Sequence, residues 1–233
     1  MDHNDRRGRL AGADRSASRL FHSGGRFQGV YRMVSAIFRK AGITRQHKPP
    51  FIYLQKVRMK ENMIEIMQAD RSNFTESSMD SFDRYQEVWN VFRMENGKLI
   101  LKKQPFTETW SPERRHEKAA EILSGKYITY CAFDGDTVVG EIMLLPVLNE
   151  NRLIIDSFHV SNGYRRHGIG RRLIETARDY AKNRGAAALY ASCSSAEETI
   201  RFYMAMGFEL SEHPITGCVK DEPFDIQMEC RLI

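Results

Sequence analysis

Apolar and polar positions change their period several times along the chain, and each change marks an element. Glu87–Met94 and Lys98–Lys103 read as two strands around Asn96-Gly97, a favoured two-residue hairpin turn. Ser111-Pro112 supplies an N-cap with proline at the first helical position, which predicts a helix to about Ser124 with Gly125 after it. Lys126–Phe133 and Thr137–Leu145 read as strands flanking the turn Asp134-Gly135-Asp136, and Arg152–Val160 as a further strand. Gly168–Arg184 has a helical pattern that stops at Gly185. Ala187–Cys193 is a strand, and Ala196–Met206 a helix stopped by Gly207. Phe208–Glu212 and Phe224–Leu232 close the series as strands, and Met63, Ile66 and Met67 predict a short helix ahead of it. Strands precede, surround and follow the helices, so the expected class is α+β on a mixed sheet.

The first quarter of the chain is different. Residues 1–26 are rich in Arg, Gly, Ser and Asp and read as disordered. Phe27, Val30, Tyr31, Val34, Ile37, Phe38 and Ala41 then recur at helical spacing, with Arg32, Ser35, Arg39 and Lys40 opposite. Gly42 ends that helix, and Pro49-Pro50 marks a linker. The expected organisation is a basic extension, 1–58, with an amphipathic helix near 27–41, followed by one domain, 59–233. The helix suits an anionic membrane surface or a targeting role, or else packs on the main domain. Met59 opens the acidic region and is a candidate alternative start.

Charge sharpens this division. The net charge of the 233 residues is +5, yet residues 1–58 carry +10 and residues 59–233 carry −5. A nucleic-acid footprint inferred from the whole-chain charge would be misplaced, and nucleic acid is not an expected partner. The composition, 42% hydrophobic and 28% charged, is that of a folded chain. No apolar run approaches the roughly 20 residues of a membrane span. Cys131, Cys193, Cys218 and Cys230 form no close-spaced pair, so neither a metal cluster nor a disulfide framework is expected, and a reducing, cytoplasmic setting is.

Candidate chemistry concentrates in one segment, Val160-Ser161-Asn162-Gly163-Tyr164-Arg165-Arg166-His167-Gly168-Ile169-Gly170-Arg171. A strand feeds a loop, and the loop feeds a helix whose first N–H groups have no intrahelical partner. Gly168 and Gly170 leave room for an anion there, the helix dipole favours one, and Arg165, Arg166 and Arg171 add cationic donors. The pattern reads as a diphosphate cradle; a close helix–strand packing turn is the other reading. It is not a P-loop, which needs Gly-Lys-Ser/Thr. It is not a dinucleotide fingerprint, which needs a third glycine near Leu173 and an acidic residue where Ser192-Cys193-Ser194 stand.

The run Arg165-Arg166-His167-Gly168-Ile169-Gly170 resembles the acetyl-CoA loop, Arg/Gln-x-x-Gly-x-Gly/Ala, of the GNAT N-acetyltransferase superfamily. Asp134–Gly140 is similar to the hairpin before that family's central strands, Ile154–Val160 to its fourth strand, and Ile200–Phe208 to its late helix, with Phe-Tyr-x-x-x-Gly-Phe intact. The resemblance spans about residues 84–232. It implies a splayed mixed sheet flanked by helices, with the pantetheine arm of acetyl-CoA between the fourth and fifth strands. It also implies a cofactor held by the backbone of Phe158, His159 and Val160 and by the N–H groups of Arg166, His167, Gly168, Ile169, Gly170 and Arg171.

The reaction so implied is direct acyl transfer from acetyl-CoA to a primary amine, without a metal. By family position Tyr203 protonates the leaving thiolate. Asp156 or Glu141 is the candidate base, acting through water. His159 is a further candidate, though strand alternation does not settle which face it takes. Where the family often carries an asparagine on the cofactor arm, this chain has Ala196; Ser194 or Ser195 would supply a hydroxyl instead. Residues 84–133 are similar to streptothricin-type antibiotic acetyltransferases in their Asn-Gly hairpin and proline-led charged helix. The expected acceptor is a small cationic amine, suited to a body of net charge −5. A protein or peptide N-terminus or lysine, or a non-catalytic CoA-binding module, is the alternative. A homodimer and weak membrane-surface contact through the N-terminal helix complete the expected partners.

Overall fold

The computed structural model describes residues 64–232. The basic extension 1–58, the helix near 27–41 and the boundary at Met59 lie outside the described residues, as does Met63.

Seven strands form one mixed sheet: β1 (Ile64–Gln68), β4 (Ile128–Asp134), β5 (Thr137–Leu144), β6 (Arg152–Val160), β7 (Ala188–Cys193), β8 (Glu209–Leu210) and β9 (Ile226–Arg231). Their order is β1-β4-β5-β6-β7-β9-β8. Only β6 and β7 run parallel; the other neighbours are antiparallel. β2 (Gln86–Glu95) and β3 (Lys98–Glu108) form a separate antiparallel hairpin. The helices are α1 (Pro112–Leu123), α2 (Ile169–Asn183), α3 (Glu197–Ala205) and α4 (Thr216–Asp221). The α+β class and the splayed sheet flanked by helices are those expected.

The segment expected to be a short helix at Ile66 and Met67 is instead the edge strand β1. Half-buried Ile64 and Ile66 alternate with exposed Glu65 and Met67, and the strand pairs with β4 from Ile64↔Asp134 to Gln68↔Tyr130. Period two wins because a partner edge is available. The strand expected over Phe208–Glu212 shortens to Glu209–Leu210.

Each sheet face buries its own cluster, as period two demands. Cys131, Phe133, Val138 and Met143 pack with Ala119 and Ile122 of α1 and with Phe74, Met79 and Phe82. Ala132, Ile142, Leu144, Leu153 and Ile155 pack with Leu173, Ile174, Ala177 and Ala181 of α2. Each large aliphatic buried there contributes about 1.5–3 kcal/mol. Helix α1 starts where the sequence signals it: Ser111 Oγ accepts from the Arg114 N–H at 3.2 Å, and Pro112 follows. Such a cap is worth about 1 kcal/mol.

Candidate active site

β6 and β7 part company midway. Their parallel register runs from Arg152↔Ala188 to Ile155↔Ala191 and stops. On the other side of β6, the register with β5 shifts between Met143↔Ser157 and Leu144↔Ile155, so Asp156 is an extra, bulged residue. From Asp156 to Val160 the edge of β6 that faced β7 has no strand partner. Arg165 reaches back to this edge, its Nε donating to the Val160 carbonyl at 3.1 Å.

Beyond Val160 a short 3-10 turn, Asn162–Tyr164, leads into the glycine loop. Arg166 and Gly168 are both left-handed, with φ of 68° and 79°. Alternating handedness of this kind turns successive N–H groups toward one side, an anion-binding concavity. Gly168 is the cap residue of α2, and a Cβ there would meet nothing within 4 Å; its glycine answers to backbone conformation alone. Gly170 answers to packing, because a Cβ would lie 3.2 Å from Phe202 Cζ and 3.3 Å from Phe158 Cζ. The packing reading of the loop thus describes Gly170, while Gly168 answers to its left-handed backbone. Arg166, His167 and Arg171 are exposed around the loop, whereas Arg165 is spent partly on β6. Ile169 is buried in the core and presents only its N–H.

Tyr203 stands on the α2 side of the parted strands. It is 5% exposed, and its ring packs against Phe158, Phe202 and Phe208 at centroid distances of 6.1, 5.8 and 5.0 Å. Burial pushes its phenol well above the usual tyrosine range, and the neighbouring Cys193 thiol, Glu141 and Asp225 push the same way. The phenol is a proton donor at any physiological pH. Cys193, whose thiol donates to the Ala191 carbonyl at 3.7 Å, is itself raised by burial.

The opposite face of β5 and β6 carries a buried polar network. Glu141 is fully buried, and its Oε1 accepts from Ser157 Oγ at 2.9 Å and from His159 Nδ1 at 2.7 Å. Its Oε2 has no partner among the described residues. Lys118 of α1 donates to Ser157 Oγ at 3.3 Å and pairs with Glu121 at 2.6 Å. Trp110 closes the network, its ring 4.7 Å from that of His159 and stacked on Phe82 at 5.6 Å. Burial lowers the pKa of His159; Glu141 opposes this, while Arg84 and Lys118 add to it. Asp156 is exposed, and its carboxyl is raised first by the surrounding protein, with Lys118 opposing and Glu121 and Glu141 adding.

The hairpin β2–β3 is tied to the start of α3. Val91 bridges Ala196, the Phe92 N–H donates to the Ser195 carbonyl at 2.7 Å, and Asn90 Nδ2 donates to Glu197 at 2.8 Å. Ala196 is sealed against Val88 and Val91, so an asparagine has no space there. Ser195 Oγ accepts from Arg93 Nη1 at 2.5 Å. Asp225, just before β9, has its pKa raised to about 6 by burial and by Glu222, with Ser192 opposing and Glu108 adding.

Glu141, Asp156, Phe158, His159, Val160 and Tyr203 thus gather around the parting of β6 and β7, and the loop from Arg165 to Arg171 caps one end of it. Lys118, Trp110, Ser157 and Asp225 belong to no motif and carry no local signal in the sequence. A lysine on a charged helix ordinarily faces water, and only the fold turns Lys118 inward. Among the described residues no group of three or more His, Cys, Asp or Glu is placed to hold a metal ion, and no helix is long and apolar enough to cross a membrane.

Residues 99–208 match the model of the Acetyltransferase (GNAT) family. The chain matches no curated protein with which it was compared. Among solved structures it is similar to a nourseothricin acetyltransferase, with 18% identity and a TM-score of 0.57 over 74% of this chain and 100% of that one. It is likewise similar to a putative streptothricin acetyltransferase from Bacillus anthracis, solved in complex with acetyl coenzyme A. There the identity is 16% and the TM-score 0.55, over 73% of this chain and 99% of that one. At these identities the likeness establishes the fold.

Proposed function

We propose that the chain is an acetyl-CoA-dependent acyltransferase, a reading that the match of residues 99–208 to the Acetyltransferase (GNAT) family supports, and that it acetylates the primary amine of a small cationic acceptor. The observation that carries this is the open edge of β6 at Asp156–Val160, with a buried, protonated phenol beside it.

The chain's own groups suit the cosubstrate. The left-handed Arg166 and Gly168 and the free N–H groups opening α2 offer a diphosphate cradle, with Arg166, His167 and Arg171 as exposed cations. The edge of β6 at Phe158, His159 and Val160 that faces away from β5 offers backbone hydrogen bonds to an extended amide-bearing arm, though the Val160 carbonyl already accepts from Arg165, and Ser195 offers a hydroxyl. The amine nitrogen attacks the thioester carbon, and the C–S bond breaks as the oxyanion collapses. The departing sulfur takes the proton of Tyr203. An acceptor that arrives as an ammonium must first give up a proton, which calls for a base on the acceptor side.

The cationic class rests on charge. Asp225 has its pKa raised to about 6 by burial first, with Glu222 and Glu108 adding, and burial raises Asp156 as well. A cation beside these carboxylates favours their charged forms, which burial first and neighbouring carboxylates second disfavour. A free-thiol assay with acetyl-CoA across polyamines, aminoglycosides, streptothricin and peptides tests the proposal. Turnover on a small cationic amine is expected. Turnover on peptides alone would move the acceptor to protein, and acetyl-CoA binding without turnover on any amine would leave a binding module.

A further inference from the structure

We propose that His159, oriented by Glu141, is the general base that deprotonates the acceptor ammonium; this rests on the acetyltransfer reading above. The two residues are register partners on β5 and β6, so their side chains leave the sheet on the same face. A carboxylate can only accept, so the 2.7 Å contact fixes the proton of a neutral imidazole on Nδ1. Nε2 then carries the lone pair, and it has no hydrogen bond from the described residues. The His159 side chain is 23% exposed whereas Glu141 is 0% exposed, so the histidine, not the glutamate, can meet an acceptor.

Burial first, with Arg84 and Lys118 adding, holds the pKa of the imidazole below that of a free histidine. Glu141 Oε1 takes two hydrogen bonds, and Lys118 Nζ closes the chain through Ser157 Oγ. The charged groups that act on His159 are Glu141 from β5, Lys118 from α1, and Arg84 from the segment before β2; Trp110 packs on its ring. Glu141 alone favours the imidazolium, and the two cations with burial outweigh it. A base poised neutral that becomes charged next to a buried carboxylate is the arrangement proton abstraction needs.

The step balances as follows. Nε2 takes one proton from the acceptor ammonium; its N–H bond breaks, and the imidazolium is held by Glu141. The freed amine pair forms the C–N bond. As the C–S bond breaks, Tyr203 gives its proton to sulfur and recovers one from the acetylated nitrogen. The imidazolium returns its proton to water. Glu141 touches neither substrate and is a positioning residue. Asp156, exposed on the bulge, is the rival base.

The test compares wild type with His159→Gln, Glu141→Gln and Asp156→Asn, using spermidine and streptothricin as amine probes and calorimetry for acetyl-CoA binding. His159→Gln is expected to bind acetyl-CoA and to lose about 10²–10⁴-fold in turnover, together with the acidic limb of the kcat/KM profile. Glu141→Gln should keep that limb but move it to lower pH, because the charge that supports the imidazolium is gone. Separately, nitrogen NMR of the wild-type imidazole should show the Nδ1–H tautomer at pH 7. Undiminished turnover in His159→Gln with loss in Asp156→Asn would overturn the assignment, as would an Nε2–H or charged imidazole at pH 7. A wild type that acetylates neither probe defeats the choice of amine rather than the pair, which then stands or falls on the tautomer.

Discussion

Glu141 and His159 face each other across β5 and β6, and the 2.7 Å between Oε1 and Nδ1 joins them in a hydrogen bond. The pair has a thermodynamic signature separate from catalysis. The folded pKa of His159 lies below the 6.5 of a free histidine. As pH falls, the unfolded chain therefore takes this proton first, and stability falls with it. The contribution is whole above 6.5 and is lost as pH drops toward the folded value. Urea midpoints from pH 8 to pH 5 should fall more steeply in wild type than in His159→Gln. Parallel slopes would mean that His159 titrates as it does in the unfolded chain.

Asp225 predicts the opposite slope. Its carboxyl is raised from 3.8 to about 6, so the folded state holds the proton longer than the unfolded chain. That favours the fold in acid and costs stability once the pH rises through 6. Two units correspond to ~3 kcal/mol. Solvent screening of this half-buried group brings that to about 1–2 kcal/mol. Asp225→Asn should thus be more stable than wild type at pH 8 by about that amount, and no more stable at pH 4. If the acceptor is cationic, the same variant should show a raised KM for it. Chemical denaturation at the two pH values and a KM measurement check both halves.

Much of this architecture can be read from the sequence because it depends on local signals. Ser111-Pro112, Asn96-Gly97, and Gly125, Gly185 and Gly207 fix helix ends and turns within a few residues, and the structure has these features there. β1 could not be read this way, since five residues with Ile64, Ile66 and Met67 fit either period until the β4 edge decides. The face taken by His159 was equally hidden. The bulge at Asp156 breaks the alternation that would have set it, and the partners Glu141, Lys118 and Trp110 lie 18 to 49 residues away in sequence. Gly170 shows how a glycine motif hides a packing cause, for it is where two rings press on α2.

That pressure can be measured. In Gly170→Ala the new Cβ would sit 3.2–3.3 Å from Phe202 and Phe158, whose rings stack at 5.5 Å. Overpacking of this kind costs about 1–3 kcal/mol, and alanine's better helix propensity returns up to about 1 kcal/mol. A net loss of about 1 kcal/mol is expected in a denaturation experiment, with CoA affinity retained because the N–H groups remain. A stability equal to or above wild type would show that the rings yield freely and that only the loop backbone requires glycine.

Tyr203→Phe isolates the acid. The substitution removes one hydroxyl and almost no volume, and the ring keeps its contacts with Phe158, Phe202 and Phe208. Losing the hydroxyl alone should cost only about 0.5–1.5 kcal/mol, so the fold and acetyl-CoA affinity should survive. If the phenol protonates the departing sulfur, turnover should fall by about 10²–10⁴. The loss should appear equally in kcat and kcat/KM, since the interaction is made only in the transition state. Because burial holds the phenol far above its usual range, no basic limb from Tyr203 should appear in the wild-type profile at pH 9. The defect should shrink with an acyl donor whose thiol is more acidic, because such a sulfur leaves without needing the proton. Wild-type turnover in the variant would leave Tyr203 as packing among three aromatic rings. A variant that no longer binds acetyl-CoA would make its role one of binding, and the source of the proton would then have to be sought among other groups at the open edge of β6.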